Sequence, residues 1–276
     1  MPLEPEQAAL LASLRWQIAM GADEATLPEA VPRMIRRKAD PVLMVPPPTS
    51  PPAVAVAAPL AAPRPRKPTP DGEAAAALAA AAGTLNELRA AMAAFTGSPL
   101  RETATSLVFS DGIVGAGTMV IGEAPGAEED RLGKPFVGLS GRLLDRMFAS
   151  IGMSRERDLY ITNILPFRPP GNRTPTDAEI AMFRPFVLRH IALAKPVRLV
   201  LAGGVAAKGL LQSREGITRL RGRWHQVSSV NDTVLKALPT LHPAYLLRNP
   251  IAKRDAWADL LTLQREVNQG GIAADA

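Results

Sequence analysis

Apolar and polar positions follow two different regimes along this chain of 276 residues. Within residues 5–20, Leu10, Leu11, Leu14 and Ile18 recur at helical spacing with Trp16 nearby, which predicts one amphipathic helix. Prolines then dominate from Pro41 to Pro70. Each removes a backbone donor and fixes φ, so the stretch forms neither helix nor central strand and reads as an extended linker. From Gly72 to about Phe95 an Ala-rich run with Leu78, Leu85 and Leu88 predicts a single helix that opens the folded part. Beyond it, short apolar runs alternate with amphipathic ones. Thr118–Gly122, Leu159–Asn163, Arg198–Ala202 and Leu235–Leu238 predict strands, and helical patterns lie at 140–151, 176–193, 203–212 and 250–267. That alternation is the signature of a three-layer α/β/α sandwich on a small, mainly parallel central sheet. The predicted organisation is an N-terminal helical segment over 1–40, a Pro/Ala-rich linker over 41–71, an α/β domain over 72–268 and a flexible tail over 269–276.

Composition removes several kinds of chemistry. The chain has no cysteine, which excludes disulfides, thiolate nucleophiles and every Cys-ligated zinc or iron-sulfur site. Its histidines, His190, His225 and His242, are too dispersed to place two ligands on one helical face, so neither a metal nor another cofactor is expected. The longest apolar stretches are broken by proline and the start MPLEPEQ is acidic, which predicts neither signal peptide nor membrane span and a cytoplasmic protein; a monomer is expected. The formal charge is +6, and the whole excess lies beyond residue 82, a balance that suits a polyanion partner but is common in soluble domains.

In a doubly wound sheet, functional groups gather at the carboxyl ends of the strands. Three motifs fall there. The first strand runs into GEAPGAEEDRLGKPFVGLSG at 122–141, where glycines let backbone amides approach a ligand and Glu123 sits at a strand end. The second ends at Asn163, before LPFRPPGNRTP; an Asn amide offers a donor and an acceptor side by side, which suits a pyrimidine edge. The third is LHPAYLLRNP at 241–250, with His242 held before a proline. Taken one at a time, a plain turn, a capping Asn and a structural His explain them equally well. Arg214, Arg219, Arg221 and Arg223 form a basic stretch that reads either as a phosphate contact or as a solvated loop.

Together, in this order and at strand ends, GEAPG, EED, KPFVG, RPPGNRTP and HPAYLLR resemble the uracil-DNA glycosylase superfamily, specifically its family 4, over about residues 98–262. The resemblance implies an enzyme that flips uracil out of DNA, hydrolyses its N-glycosidic bond and releases free uracil to begin base-excision repair. It assigns stacking on the base to Phe136, reading of its edge to Asn163 and donation to O2 to His242. Glu123 becomes the candidate to orient the water, because the position of family 1's catalytic Asp is Ala124. Glu129 is implied to crowd the C5 side, and Gly122 lies beside the base. Arg168, Arg173, Leu246, Leu247 and Arg248 are the implied DNA contacts, and the N-terminal helix is free to bind a protein partner.

One departure stands out. Typical family 4 members hold a four-iron four-sulfur cluster on four cysteines, and the positions that align with them are Ser98, Arg101, Phe167 and Phe183. None forms an iron-thiolate bond, so the resemblance is to a cluster-free branch in which packing holds these loops. Two alternatives stay open on sequence: a glycosylase with a wider range of deaminated bases, and a non-catalytic DNA-binding scaffold on the same fold.

Overall fold

The computed structural model describes residues 70–230 and 233–272. The helix expected at 5–20 and most of the Pro-rich stretch lie outside the described residues. The three central strands form where their apolar runs predict: β2 (Thr118–Gly122), β3 (Leu159–Asn163) and β4 (Arg198–Ala202), every residue of them buried. Continuous burial is what a parallel strand covered on both faces requires. β6 extends beyond its prediction, over Val234–Thr240. Two short strands were not predicted, β1 (Asp111–Gly112) and β5 (His225–Ser228). They pair antiparallel at the two edges, giving the order β1-β3-β2-β4-β6-β5 with a parallel centre.

Among the described residues, ten α-helices cover the two faces or carry the site. In chain order the first nine are α1 (Pro70–Ala81), α2 (Leu85–Ala94), the short α3 (Leu100–Thr103), α4 (Ala127–Leu132), α5 (Leu139–Ala149), α6 (Asp177–Ala194), α7 (Gly204–Leu211), α8 (Ile217–Leu220) and α9 (Pro243–Arg248). The last, α10 (Lys253–Ile272), continues past residue 268, into what the sequence suggests is a tail. The single helix expected from Gly72 to Phe95 is instead two. Thr84 caps α2, its hydroxyl accepting from Glu87 N at 3.2 Å, while Glu87 Oε2 accepts from Gly83 N at 2.7 Å. These reciprocal bonds satisfy orphan donors and start a new helix.

Alternate residues of each strand feed opposite cores. Met119, Ile121, Leu199 and Leu201 join Leu88, Phe186 and Leu210, from α2, α6 and α7, on one face. Val120, Ile161, Val200 and Leu238 join Phe148 of α5 and Leu260 of α10 on the other. This is the three-layer α/β/α sandwich. Among the described residues, no helix is long and apolar enough to cross a membrane.

The first core also holds two of the positions aligned with cluster cysteines, Phe167 and Phe183. Phe167 and Phe183 meet edge to face at 6.1 Å, and Phe95 meets Phe183 at 6.0 Å and Phe186 at 5.5 Å. Ser98 is buried beside them in sequence, whereas Arg101 is exposed. Phe95 is the further aromatic residue that completes this group. Aromatic carbon offers iron no ligand, so these residues do not fit a cluster.

A polar element is buried in the same layer. His190 stacks on Phe109 with ring centroids 4.3 Å apart, and its Nε2 lies 2.8 Å from the Tyr160 hydroxyl, which donates to Ser110 Oγ at 2.8 Å. Burial lowers the His190 pKa to about 3. The folded state therefore binds fewer protons than the unfolded chain below about pH 6.5, so stability is full above that pH and is lost as pH falls toward 3. His190→Gln should reduce the pH slope of unfolding free energy by about 1.4 kcal/mol per pH unit between about pH 4.5 and 6. Urea titrations across that window test this, and an unchanged slope would place the proton uptake elsewhere.

Candidate active site

β2 and β3 end level with each other, Gly122 paired opposite Asn163. The chain continues the pairing beyond them, with Ile164 N donating to Gly122 O at 2.9 Å and Leu165 N to Glu123 O at 3.1 Å. Two side chains converge over Gly122 as a result. A Cβ built there would lie 2.4 Å from Asn163 Oδ1 and 2.6 Å from the Phe136 ring. Only glycine lets the amide and the ring approach so closely. A cavity of about 560 Å³ opens at these strand ends, walled by Glu123, Phe136, Asn163 and His242, with Glu129 and Arg248 at its sides.

Phe136 is 5% exposed and its φ is +54°, a left-handed conformation. For a residue with a Cβ that costs about 1–2 kcal/mol, so the surroundings must impose it. Glu129 is one restraint. Its Oε1 accepts from Val137 N at 3.1 Å and Gly138 N at 2.9 Å, and its Oε2 accepts from Gly126 N at 3.1 Å. The buried carboxylate thus ties the GEAPG turn to the loop of Phe136. Its neighbour Asp130 acts likewise, with Oδ1 accepting from Thr105 N and Ser106 N at 2.9 and 3.0 Å.

His242 caps α9 through its ring, Nδ1 accepting from Ala244 N at 3.1 Å. That bond leaves the proton on Nε2. Burial first, then the charge of Arg248, lowers the His242 pKa to about 4, outweighing the opposing pull of Glu129. The ring is therefore a neutral donor at physiological pH, tilted against Phe136 with centroids 5.5 Å apart. Burial raises the pKa of Glu123, partly offset by Arg248. Among the described residues, neither the Glu123 carboxylate nor the Asn163 amide has a side-chain hydrogen bond, so both are open to a ligand. A flat aromatic face, a two-way amide, a neutral donor and a carboxylate are what recognition and ionisation of a small planar heterocycle require.

Of the positions singled out on sequence, Ala124, Arg173 and Arg248 also line the cavity. Arg173 is partly committed, its guanidinium forking onto Glu179 at 2.6 and 2.9 Å. Arg168 ties its own loop, Nε donating to Asn172 Oδ1 at 2.7 Å. Leu247 is exposed, but Leu246 is fully buried with Leu143, Leu241 and Ala256. The expectation that Leu246 contacts DNA is corrected: it is a core anchor. The helical phase of α9 explains this, since Ala244, Tyr245 and Arg248 face the cavity and Leu246 faces inward. Tyr245 was missed on sequence although its place in HPAYLLR carries that phase. In the basic stretch, Arg221 is held by buried Asp259 at 2.7 Å, and Ile217 and Thr218 reach the cavity between the remaining arginines.

A family model described as the uracil DNA glycosylase superfamily matches residues 109–261. The chain is 34% identical to a type-4 uracil-DNA glycosylase of Pyrobaculum aerophilum over 166 residues, covering 59% of this chain and 84% of that protein. It is 38% identical to the type-4 uracil-DNA glycosylase of Thermotoga maritima, covering 56% of this chain and 78% of the other. A third, from Archaeoglobus fulgidus, is 37% identical over 58% of this chain and 81% of its own length.

Gly122→Ala should destabilise the fold by about 1–3 kcal/mol, the usual cost of forcing a methyl group into a packed site. Denaturant unfolding measures this, and a neutral outcome would mean that Asn163 and Phe136 move apart freely.

Proposed function

The chain belongs to the uracil DNA glycosylase superfamily, and from that premise we propose that it hydrolyses the bond between uracil N1 and deoxyribose C1′ in DNA, releasing free uracil. The observation that carries this reading is the meeting of Phe136, Asn163, His242 and Glu123 in one cavity.

A paired base cannot reach such a cavity, so the nucleotide is first extruded from the duplex at a cost of a few kcal/mol. Stacking on Phe136 returns about 1–3 kcal/mol of that. The Asn163 amide donates to O4 and accepts from N3–H, a pattern that cytosine reverses. As the N1–C1′ bond breaks, its electron pair stays on uracil and spreads to O2, where the neutral Nε2–H of His242 donates. A donor fixed at a developing oxyanion is worth far more in the transition state than in the ground state. The sugar becomes cationic at C1′. Glu123 stabilises that charge and orients the water whose oxygen bonds to C1′, and the carboxylate then accepts the water's proton. Burial favours this last step by raising the Glu123 pKa. Glu129 closes the C5 side through its grip on the Phe136 loop.

Arg248, with Arg168 and Arg173, is the proposed phosphate contact, and Leu247 together with Tyr245 meets the bases beside the lesion. We further propose that the protein is a cytoplasmic, monomeric glycosylase with an N-terminal segment that binds a protein partner and is joined to the catalytic domain by the Pro-rich linker.

His242→Ala should lower the single-turnover rate on a uracil-containing duplex by about 10²–10³-fold with DNA affinity retained. Asn163→Asp should admit cytosine, since a carboxylate accepts from its amino group. A parental protein that leaves uracil-containing oligonucleotide intact after alkali treatment would overturn the reading; a His242→Ala variant at the parental rate would reassign the donor.

Because the His242 pKa is near 4, the rate should show no inflexion near pH 6.5. It should instead fall on the acid side as Glu123 takes up a proton, above the ordinary carboxylate range. Single-turnover rates from pH 4.5 to 8 test this, and Glu123→Gln should abolish the acid limb.

A further inference from the structure

Arg155, which no motif singles out, lies in the turn between α5 and β3, and its side chain is only 12% exposed. Its guanidinium is the meeting point of four segments. Nη2 donates to the carbonyl of Phe136 at 2.7 Å, and Nη1 donates to the carbonyl of Pro135 at 3.0 Å. The remaining donors go to carboxylates: Nη1 to Asp111 Oδ2 at 2.9 Å, and Nε and Nη2 to Asp145 Oδ1 at 3.1 and 3.0 Å. Asp111 belongs to the two-residue edge strand β1 and Asp145 to α5. The planar fork of an arginine supplies donors in fixed directions, so these acceptors define where the Phe136 peptide sits.

The carbonyl it holds belongs to the residue in left-handed conformation. Glu129 restrains the amides just after Phe136, and Arg155 restrains the carbonyls of Pro135 and of Phe136 itself. Gly141 closes the remaining side: a Cβ there would lie 1.9 Å from Phe136 O, so α5 packs directly on the same peptide. The two aspartates complete the clamp. Burial alone would raise the Asp111 pKa, but the hydrogen bond and charge of Arg155, with Lys134, hold it below the usual range. Asp111 is thus charged at neutral pH, and together with Asp145 it holds the guanidinium in place. Such a network, satisfied on every donor direction it uses, rigidifies the group it surrounds.

We propose that Arg155 is a positioning residue for the glycosylase reaction, holding Phe136 in the strained backbone conformation from which its ring stacks on the extruded base. It touches no substrate and acts through Phe136 alone. The inference rests on the function proposed above and adds to it the device that makes the stacking face rigid. β1, otherwise too short to strengthen the sheet, gains a purpose: it carries Asp111 to the clamp.

A double-mutant cycle separates this from a general structural role. Single-turnover uracil release is measured for the parental full-length protein, Arg155→Met, Phe136→Ala and the double variant, at a temperature where circular dichroism shows all four folded. Arg155→Met should slow release by up to about 10²-fold, the scale of a small misplacement in a site. In the Phe136→Ala background the same change should cost no more than about twofold, because the group it positions is gone. Arg155→Lys, which keeps the charge and loses the fork, should recover little of the rate and serves as the cycle's second variant if Met at 155 unfolds the protein. Losses that multiply across the cycle, a folded Arg155→Met at the parental rate, or full rescue by Lys would each overturn the positioning role while leaving uracil excision intact. A parental protein that releases no uracil overturns both.

Discussion

The level ending of two parallel strands is the constraint on which the site depends. Because Gly122 lies opposite Asn163, the GEAPG turn and the RPPGNR loop leave the sheet at one height and on one side. The bonds from Ile164 and Leu165 to the carbonyls of Gly122 and Glu123 extend the ladder by a further step, so both loops start from fixed geometry. A slip of one residue would turn Asn163 to the opposite face of the sheet. It would also put a side chain where Gly122 now admits Asn163 and Phe136. Burial of both faces of β2 and β3 makes such a slip costly, since each strand sends alternate apolar residues into a different core.

What was legible in the sequence follows from the same burial. TMVIG, LYITN and RLVLA are buried throughout and apolar at their centres because parallel strands are covered on both faces, and their boundaries could be read directly. The edge strands had no such signal. β1 is a two-residue bridge and β5 reads HQVS, with only Val227 fully buried, so neither differs locally from a loop. The break between α1 and α2 was visible as Thr84 followed by Glu87, a capping pattern overridden by the abundance of alanine around it. Of the site, Glu123, Phe136, Asn163 and His242 were found through motifs at strand ends. Leu246 was misassigned because linear proximity to His242 was followed where helical phase should have been. Arg155 was beyond reach: its partners are distant in sequence, and two of them are backbone carbonyls that leave no trace in residue identity.

The aromatic group of Phe95, Phe167 and Phe183 bears on how the loops beside the cavity are held without a metal cluster. Edge-to-face rings contribute about 0.5–1.5 kcal/mol per pair beyond the area they bury. Phe183 meets Phe95, Phe167 and Phe186, joining the end of α2, the loop after β3 and α6. Such packing needs no ligand and no redox state, but it anchors only the segments that contribute a ring. The tip of the RPPGNR loop contributes none. There the restraint is ionic: Arg173 forks onto Glu179, whose pKa is lowered to about 2 chiefly by that bond, against the cost of burial. Glu179 also accepts from Thr176 N at 2.7 Å and so belongs to the cap of α6. One carboxylate therefore fixes both the loop tip and the helix that carries Phe183.

Charge in the cavity is arranged with the same economy. Bond cleavage separates a negative base from a positive sugar, and the protein must answer both without binding either ion in the ground state. A protonated histidine would be the stronger acid, but in a buried position it would form an ion pair with the nearby glutamates before any substrate arrived. The N-cap bond from Ala244 removes that option by occupying Nδ1, and burial with Arg248 completes it by keeping the imidazole neutral. In the proposed reaction the donor at Nε2 gains strength only as charge appears on the base. Arg248 also offsets the effect of burial on Glu123, which favours the carboxylate that the proposed reaction needs. A single exposed cation thus biases two groups in the same sense, toward loss of a proton: it keeps His242 neutral and helps Glu123 remain an anion. Both effects come from one short helix, because His242 caps α9 and Arg248 ends it.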